Sequence, residues 1–71
     1  MAKIIKAHIS GIVQKINVSP GDQVSMGDVV ATIEWMKMEM PAETEEEGVI
    51  AKILVAEGQA VTEGSPLVEL T

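Results

Sequence analysis

The sequence contains one pattern twice. When it is aligned with itself at an offset of 37 positions, residues 11–34 match residues 48–71 without a gap. Seven aligned positions are identical: Gly11, Lys15, Ile16, Val18, Gly21, Val24 and Gly27 match Gly48, Lys52, Ile53, Val55, Gly58, Val61 and Gly64. A further aligned pair, Ile33 and Leu70, is similar. The chain is therefore predicted to fold as two copies of one unit.

Each copy has the alternation that is typical of β-strands. Apolar runs cover residues 12–18 and 29–35 in the first copy, and residues 49–55 and 67–70 in the second. Side chains at every second position of a strand lie on one face. Glycine-containing segments separate the runs, and we expect positive φ at those glycines.

A unit with one apolar face cannot bury that face alone. Packing the two copies face to face about an approximate two-fold axis solves the problem and predicts a flattened barrel or sandwich of about eight short strands. Ile4 and Ile5 are expected to pair into the same body. Residues 1–71 then form a single domain, with half-repeats at about 11–34 and 48–71 joined through a hairpin at 34–40.

Length and composition limit what such a domain can do. A chain of 71 residues buries only about 60% of the surface that its unfolded form exposes, so it has no room for a deep catalytic cleft. Trp35 is the only aromatic residue, although 46% of the chain is hydrophobic. The core is therefore expected to consist of Val, Ile, Leu, Met and Ala.

The charge and the absence of cysteine exclude several classes of function. Without cysteine there is no disulfide, thiolate metal site or redox pair. A formal charge of −6 disfavours nucleic acid and anionic membranes, and fits a basic protein partner or a role in solubility. Because no signal peptide or run of ~18 apolar residues is present, we expect a cytoplasmic protein.

The connection between the copies reads as a tight hairpin with Met36 and Lys37 at its centre. This turn predicts three opposed pairs: Trp35 with Met38, Glu34 with Glu39, and Ile33 with Met40. Two-residue hairpin turns favour Asn-Gly, Asp-Gly or Gly-X because their central residues take positive φ. A left-handed conformation in other residues costs about 1–2 kcal/mol, so Met-Lys indicates that function requires these side chains.

Lys37 at the tip is expected to serve as a substrate for another enzyme. A free lysine amine is mostly protonated at neutral pH and is a poor nucleophile unaided. The alternative is an ordinary solvated lysine. Met36 and Met38 argue against it, because flexible thioethers at an exposed turn suit contact with a partner better than contact with water.

The sequence Glu-Trp-Met-Lys-Met-Glu at residues 34–39 resembles the attachment motif of the biotinyl domain family, in which Met-Lys-Met lies between two structural repeats. The resemblance covers nearly the whole chain. It implies two four-stranded antiparallel sheets with pseudo-two-fold symmetry, a barrel-sandwich hybrid. It also implies that a biotin protein ligase attaches biotin to Lys37 through an amide, and that the ligase recognises Met36 and Met38. Glu34, Trp35 and Glu39 complete the expected recognition segment.

Trp35 departs from the family pattern, which usually has a small residue, often alanine, at this position. A bulky indole could narrow the tolerance of the ligase, contact a partner, or cover Met38 across the hairpin. The chain also lacks the protruding insertion and the long linker of some bacterial acetyl-CoA carboxylase carriers. Its start at Met1 suggests a free-standing carrier, and a domain excised from a larger protein would look the same.

The resemblance further implies a relay between biotin carboxylase and carboxyltransferase subunits, in which the cofactor carries the reaction and the protein supplies proximity. The chain is then a carrier, monomeric in isolation, and not an enzyme. His8, the only histidine, has no grouped nucleophile. The acidic run of Glu43, Glu45, Glu46 and Glu47 is interpreted as a solvated loop or a contact for a basic partner. No metal site is expected.

Two other functions stay open. Lipoyl carriers share this architecture and modify a hairpin lysine, but their usual Asp-Lys-Ala is absent, while Glu34 resembles both families. The second alternative is an unmodified binding module whose hydrophobic tip consists of Trp35, Met36, Met38 and Met40. An enzyme in its own right is the weakest alternative.

Overall fold

The structure, a computed structural model, describes residues 3–71. The described chain folds into eight strands: β1 (Lys3–Lys6), β2 (Gly11–Ile16), β3 (Gln23–Val24), β4 (Val29–Trp35), β5 (Met38–Glu43), β6 (Gly48–Ile53), β7 (Ala60–Val61) and β8 (Pro66–Leu70). No helix occurs among these residues, and accordingly none is long and apolar enough to cross a membrane. The all-β prediction is confirmed.

The strands form two four-stranded antiparallel sheets. Their orders are β1-β8-β6-β3 and β5-β4-β2-β7. β3 belongs to the first copy of the repeat but pairs with β6 of the second, and β7 of the second copy pairs with β2 of the first. The copies therefore exchange an edge strand, in addition to packing face to face as predicted.

The pairing registers repeat at the same offset of 37 residues as the sequence. β2 shifts register against β4 between Val13 and Lys15, and β6 shifts against β8 at the equivalent residues. The symmetry also includes β1 and β5. Lys3 of β1 pairs with Leu70, and the residues related to these two by the same offset, Met40 of β5 and Ile33, also pair with each other. β1 and β5 share no identical aligned residue, so their equivalence is visible only in the backbone pairing.

The buried core has the same symmetry. Its hydrophobic members are six equivalent pairs and Ala7: Ile5 with Ala42, Val13 with Ile50, Val24 with Val61, Val30 with Leu67, Ala31 with Val68, and Ile33 with Leu70. The position equivalent to Ala7 is Thr44, a buried polar residue. The Thr44 hydroxyl donates to the Glu46 carbonyl and accepts from the Glu46 N–H, so its burial leaves no unpaired polar group.

The expected contribution of methionine to this core was wrong for the described residues. Met26, Met36, Met38 and Met40 are all exposed, and Met1 lies outside the described residues. The reason is position: Met26 is in a turn, and Met36 and Met38 lie beyond Ile33 at the tip of the β4–β5 hairpin. Met40 lies opposite Ile33, but on the edge strand β5. β-Branched residues, leucine and alanine fill the interior.

Candidate functional site on the β4–β5 hairpin

The turn between β4 and β5 consists of Met36 and Lys37, as predicted. Met36 has φ 51° and Lys37 has φ 65°, and they are the only residues other than glycine with positive φ among residues 3–71. Positive φ at both central positions is the signature of a type I′ turn, whose twist matches the two flanking strands. The backbone therefore holds two side chains in a conformation that glycine or asparagine adopts at lower cost.

The predicted register of the hairpin is also confirmed. β4 and β5 bring together Trp35 with Met38, Glu34 with Glu39, and Ile33 with Met40. Because side chains alternate along a strand, Trp35 and Met38 lie on the face that continues from the core, and the two glutamates lie on the outer face. The hairpin thus has one apolar face and one acidic face.

The tip stands clear of the core. Ile33 is 1% exposed, whereas Trp35 is 56%, Met38 is 62% and Met36 is 76% exposed. Lys37 is exposed as well. Within residues 3–71, the close contacts between basic and acidic side chains join Lys3 to Glu46 and His8 to Glu45, and neither involves Lys37. The Lys37 amine is therefore accessible to a macromolecular partner.

A close backbone contact fixes the base of the hairpin. A Cβ atom on Gly11 would lie 2.5 Å from the Glu34 carbonyl oxygen and 2.7 Å from Cγ2 of Ile33. Only glycine lets β2 approach β4 this closely. The glycine that the sequence indicated as punctuation of the repeat therefore also positions the strand that leads to Lys37.

The acidic run lies near the N-terminal strand. The Glu45 carboxylate is 3.2 Å from Nε2 of His8, and the Glu46 carboxylate is 3.4 Å from Nζ of Lys3. Both pairs are well exposed, and such pairs contribute little to stability. The run is thus part of a solvated surface, as one of its two interpretations predicted, and His8 lies at that surface.

The sequence did not indicate what faces the apolar side of the hairpin. The connection between β1 and β2, which contains His8, Ile9 and Ser10, lines an open groove together with Trp35, Met38, Met40 and Glu63. These residues come from three separate stretches of the chain. No local pattern reveals that the fold brings them together.

Comparison with known proteins identifies the family. A model of the biotin and lipoyl attachment family, described as biotin-requiring enzyme, matches residues 1–70. This chain belongs to the biotin/lipoyl attachment family.

Relatives of the same size support the membership in this biotin/lipoyl attachment family. The biotin/lipoyl attachment protein of Bacillus subtilis (strain 168) is 36% identical over 67 residues, which are 94% of this chain and 92% of the relative. A biotinylated protein TB7.3 homolog of Mycobacterium leprae (strain TN) is 38% identical over 64 residues, which are 90% of each protein.

A solved structure of a much larger member has the same fold. The urea carboxylase of Kluyveromyces lactis matches all of this chain with a TM-score of 0.91 and 31% sequence identity. The match covers 6% of the urea carboxylase chain. The biotin/lipoyl attachment fold of two four-stranded sheets is therefore shared by this chain, and the family includes domains of biotin-dependent carboxylases.

Proposed function

We propose that this chain is a biotin carboxyl carrier and that Lys37 is the residue on which biotin is carried. The observation that carries the proposal is the turn: Met36 and Lys37 adopt positive φ at the exposed tip of a hairpin, in a chain that belongs to the biotin/lipoyl attachment family. A strained pair of side chains at a tip is retained where function requires it.

The residues at the tip fit a covalently attached group. Covalent attachment needs an amine that a ligase can enclose, and Lys37 is exposed beyond the core. A biotin protein ligase would activate the carboxyl group of biotin as a mixed anhydride with the AMP part of ATP, releasing pyrophosphate. Attack by the deprotonated Nζ of Lys37 would then form the amide and release AMP. The two faces of the hairpin differ, with Glu34 and Glu39 on one and Trp35 and Met38 on the other, so a ligase can read the orientation of the lysine between them.

Met36 completes the proposed recognition segment. Its side chain is 76% exposed, and a flexible thioether adapts to the surface of a partner. Trp35 is available both for ligase contact and for packing on Met38, because it is half exposed and directly opposite that methionine.

Bound biotin supplies the carboxyl-transfer chemistry, and the chain supplies its position. Lys37 projects from a compact body whose core holds both copies of the repeat. Tethering converts encounters with free biotin into local events at a biotin carboxylase subunit and then at a carboxyltransferase subunit. The carrier needs no catalytic residues of its own for this role.

The proposal includes three further points that rest on the sequence. Residues 1–71 act as a single biotinyl-type domain, the carrier is monomeric in isolation, and it works in the cytoplasm. A lipoyl carrier is the second candidate because the family includes both modifications. Methionine on both sides of Lys37 favours biotin.

The test is biotinylation of the purified chain by a biotin protein ligase with biotin and ATP. Intact mass should rise by one biotinyl group in the wild-type chain and in Lys15→Arg, and should stay unchanged in Lys37→Arg. Lys15 is the matched control because it is an exposed lysine on β2, away from the tip.

An adduct that persists in Lys37→Arg would refute the attachment residue. A wild-type chain that stays unmodified while a known carrier is biotinylated in the same mixture would refute the function. If a lipoyl ligase modifies Lys37 and the biotin ligase does not, the second candidate replaces the first.

A further inference from the structure

The apolar face of the hairpin borders a continuous cleft. An open groove of about 370 Å³ is lined by His8, Ile9, Ser10, Trp35, Met38, Met40 and Glu63. A smaller cavity of about 130 Å³ adjoins it and is lined by His8, Ile9, Ile33, Met40, Pro41 and Ala42. Three residues, His8, Ile9 and Met40, line both. The cleft therefore runs from the edge of the core at Ile33 towards the tip of the hairpin.

The exposed apolar surface of this cleft is concentrated beside Lys37. Trp35 and Met38 form the pair next to the turn, and Met40 lies one inward-facing position further from it. All three are large and exposed. Contiguous exposed apolar surface on a small protein marks a binding site more often than chance placement.

We propose that this cleft is a resting site for the bicyclic ring of the biotin carried on Lys37. This inference depends on the proposed function. The occupant follows from the tether. Met40 is three residues from Lys37, or about 10 Å along the strand. The lysine side chain and the acyl arm of biotin together contain about eleven bonds of about 1.5 Å, so the ring reaches the cleft without a change in the fold.

The lining matches the two sides of the ring system. The indole of Trp35 and the thioethers of Met38 and Met40 offer apolar, polarisable contacts to the thiophane side. Ser10 and Glu63 lie on the same groove and offer a hydroxyl donor and a carboxylate acceptor. These are the groups that the carbonyl and the two N–H groups of a ureido ring require.

Weak intrinsic affinity is sufficient for such a site. A short flexible tether gives an effective concentration in the millimolar range, so a ring with a millimolar dissociation constant for the cleft is docked for about half of the time. The ring then also remains free for about half of the time to enter a partner's active site. Trp35, where the family usually has a small residue, is the residue that adds this property to the present chain.

Trp35 reports on the cleft directly because it is the only tryptophan. Its emission and its quenching by acrylamide are compared in the unmodified chain, the chain biotinylated on Lys37, and a chain carrying acetyl-lysine at position 37. The acetylated chain is the control, because it loses the same charge and gains an amide without the ring. The biotinylated chain should show a blue shift and about two-fold slower quenching, the change expected for a half-populated docked state.

Backbone amide shifts locate the ring independently. Relative to the acetylated chain, biotinylation should shift the amides of His8, Ile9, Ser10 and Glu63 in wild type and in Met26→Ala. These shifts should fall at least about two-fold in Trp35→Ala, which removes the largest wall of the cleft. Met26 is the matched control because it is an exposed methionine that does not line this groove.

Equal quenching in the biotinylated and acetylated chains, with shifts confined to residues 36–38, would overturn the resting site while leaving the carrier function intact. Changes that grow with protein concentration would overturn it in favour of a second copy of the chain in the cleft. If intact mass shows no biotin on Lys37 after ligase treatment, the carrier function fails, and the resting site falls with it.

Discussion

The turn at the hairpin tip and the four glycine turns solve the same backbone problem in opposite ways. Gly21, Gly27, Gly58 and Gly64 have φ between 90° and 95°. At the tip the positive φ values belong to Met36 and Lys37. Glycine adopts positive φ at no steric cost, whereas a residue with a side chain is strained there. The glycine turns favour stability, whereas the tip gives up some stability to present two side chains.

The glycine turns share a second device that the tip lacks. The side chain of the residue after each glycine accepts a hydrogen bond from the backbone N–H three residues earlier. The bonds are Ser19 to Asp22, Ser25 to Asp28, Ala56 to Gln59, and Thr62 to Ser65, at 2.8 to 3.1 Å. The backbone N–H of each accepting residue also donates to the carbonyl three residues earlier. Local hydrogen bonding therefore reinforces the four glycine turns.

The largest change in stability is expected when the two residues of the tip are replaced by a pair that favours the turn. Met36→Asn with Lys37→Gly introduces the Asn-Gly pair that type I′ turns prefer. We expect the free energy of unfolding to rise by about 2 kcal/mol, because glycine removes one side chain from a region that costs about 1–2 kcal/mol and asparagine tolerates that region better than methionine. Biotinylation should be lost completely. Urea denaturation and intact mass measure the two effects.

Lys37→Arg is the control for that double variant, because it should also abolish biotinylation but leave the stability unchanged. An Asn-Gly tip that is no more stable than wild type would contradict the claim that the tip is strained. The two kinds of turn would then not differ in steric cost.

The reverse experiment adds a side chain to a glycine turn. Gly58→Ala places a Cβ at φ 90° with open space around it, so the cost comes from the backbone alone, about 1–2 kcal/mol. For a domain of this size that lowers Tm by roughly 4–8 °C per kcal/mol. Gly58→Asn should cost less, because asparagine tolerates the left-handed region. Equal stability of Gly58→Ala and wild type in calorimetry would contradict this assignment.

The reinforcing side chains have a smaller effect. Asp22→Ala removes the acceptor for the Ser19 N–H, a bond of 2.9 Å, and should lower the free energy of unfolding by about 1 kcal/mol. Asp22→Asn keeps an acceptor oxygen and should retain most of that stability. Chemical denaturation of the two variants side by side measures the difference. A loss in Asp22→Asn as large as that in Asp22→Ala would contradict a role for the hydrogen bond.

Trp35→Ala should have the smallest effect on stability. The indole is 56% exposed and lies opposite Met38 across the hairpin, where a pair of this kind contributes about 0.2–1 kcal/mol. The melting temperature measured by circular dichroism should therefore fall by about 8 °C at most, from roughly 4–8 °C per kcal/mol. A loss comparable to a core substitution would mean that Trp35 is structural, and that its unusual size needs no functional explanation.

Much of the fold was predictable because the repeat is written in local signals. The β4 run at residues 29–35 and the hairpin register were predicted as observed. The runs at 12–18 and 49–55 both begin one residue earlier and end two residues earlier in the structure, at Gly11–Ile16 and Gly48–Ile53. Turn glycines and alternating apolar residues are local, so they can be read from the sequence.

What could not be predicted depends on long-range packing. β1 and β5 are equivalent in register but share no identical aligned residue. The close approach of Gly11 to Glu34 and the cleft beside Trp35 arise only after β2 packs on β4 and the β1–β2 connection reaches the hairpin. The predicted location of methionine was wrong because its apolar character is compatible both with a core position and with an exposed tip that contacts a partner.

Whether Lys37 carries biotin is decided by the intact mass of the protein purified from its native cell, followed by peptide mapping. We expect a single biotinyl group confined to Lys37. Fully unmodified protein from a cell whose other carriers are biotinylated, or a biotinyl group on another lysine, would contradict it.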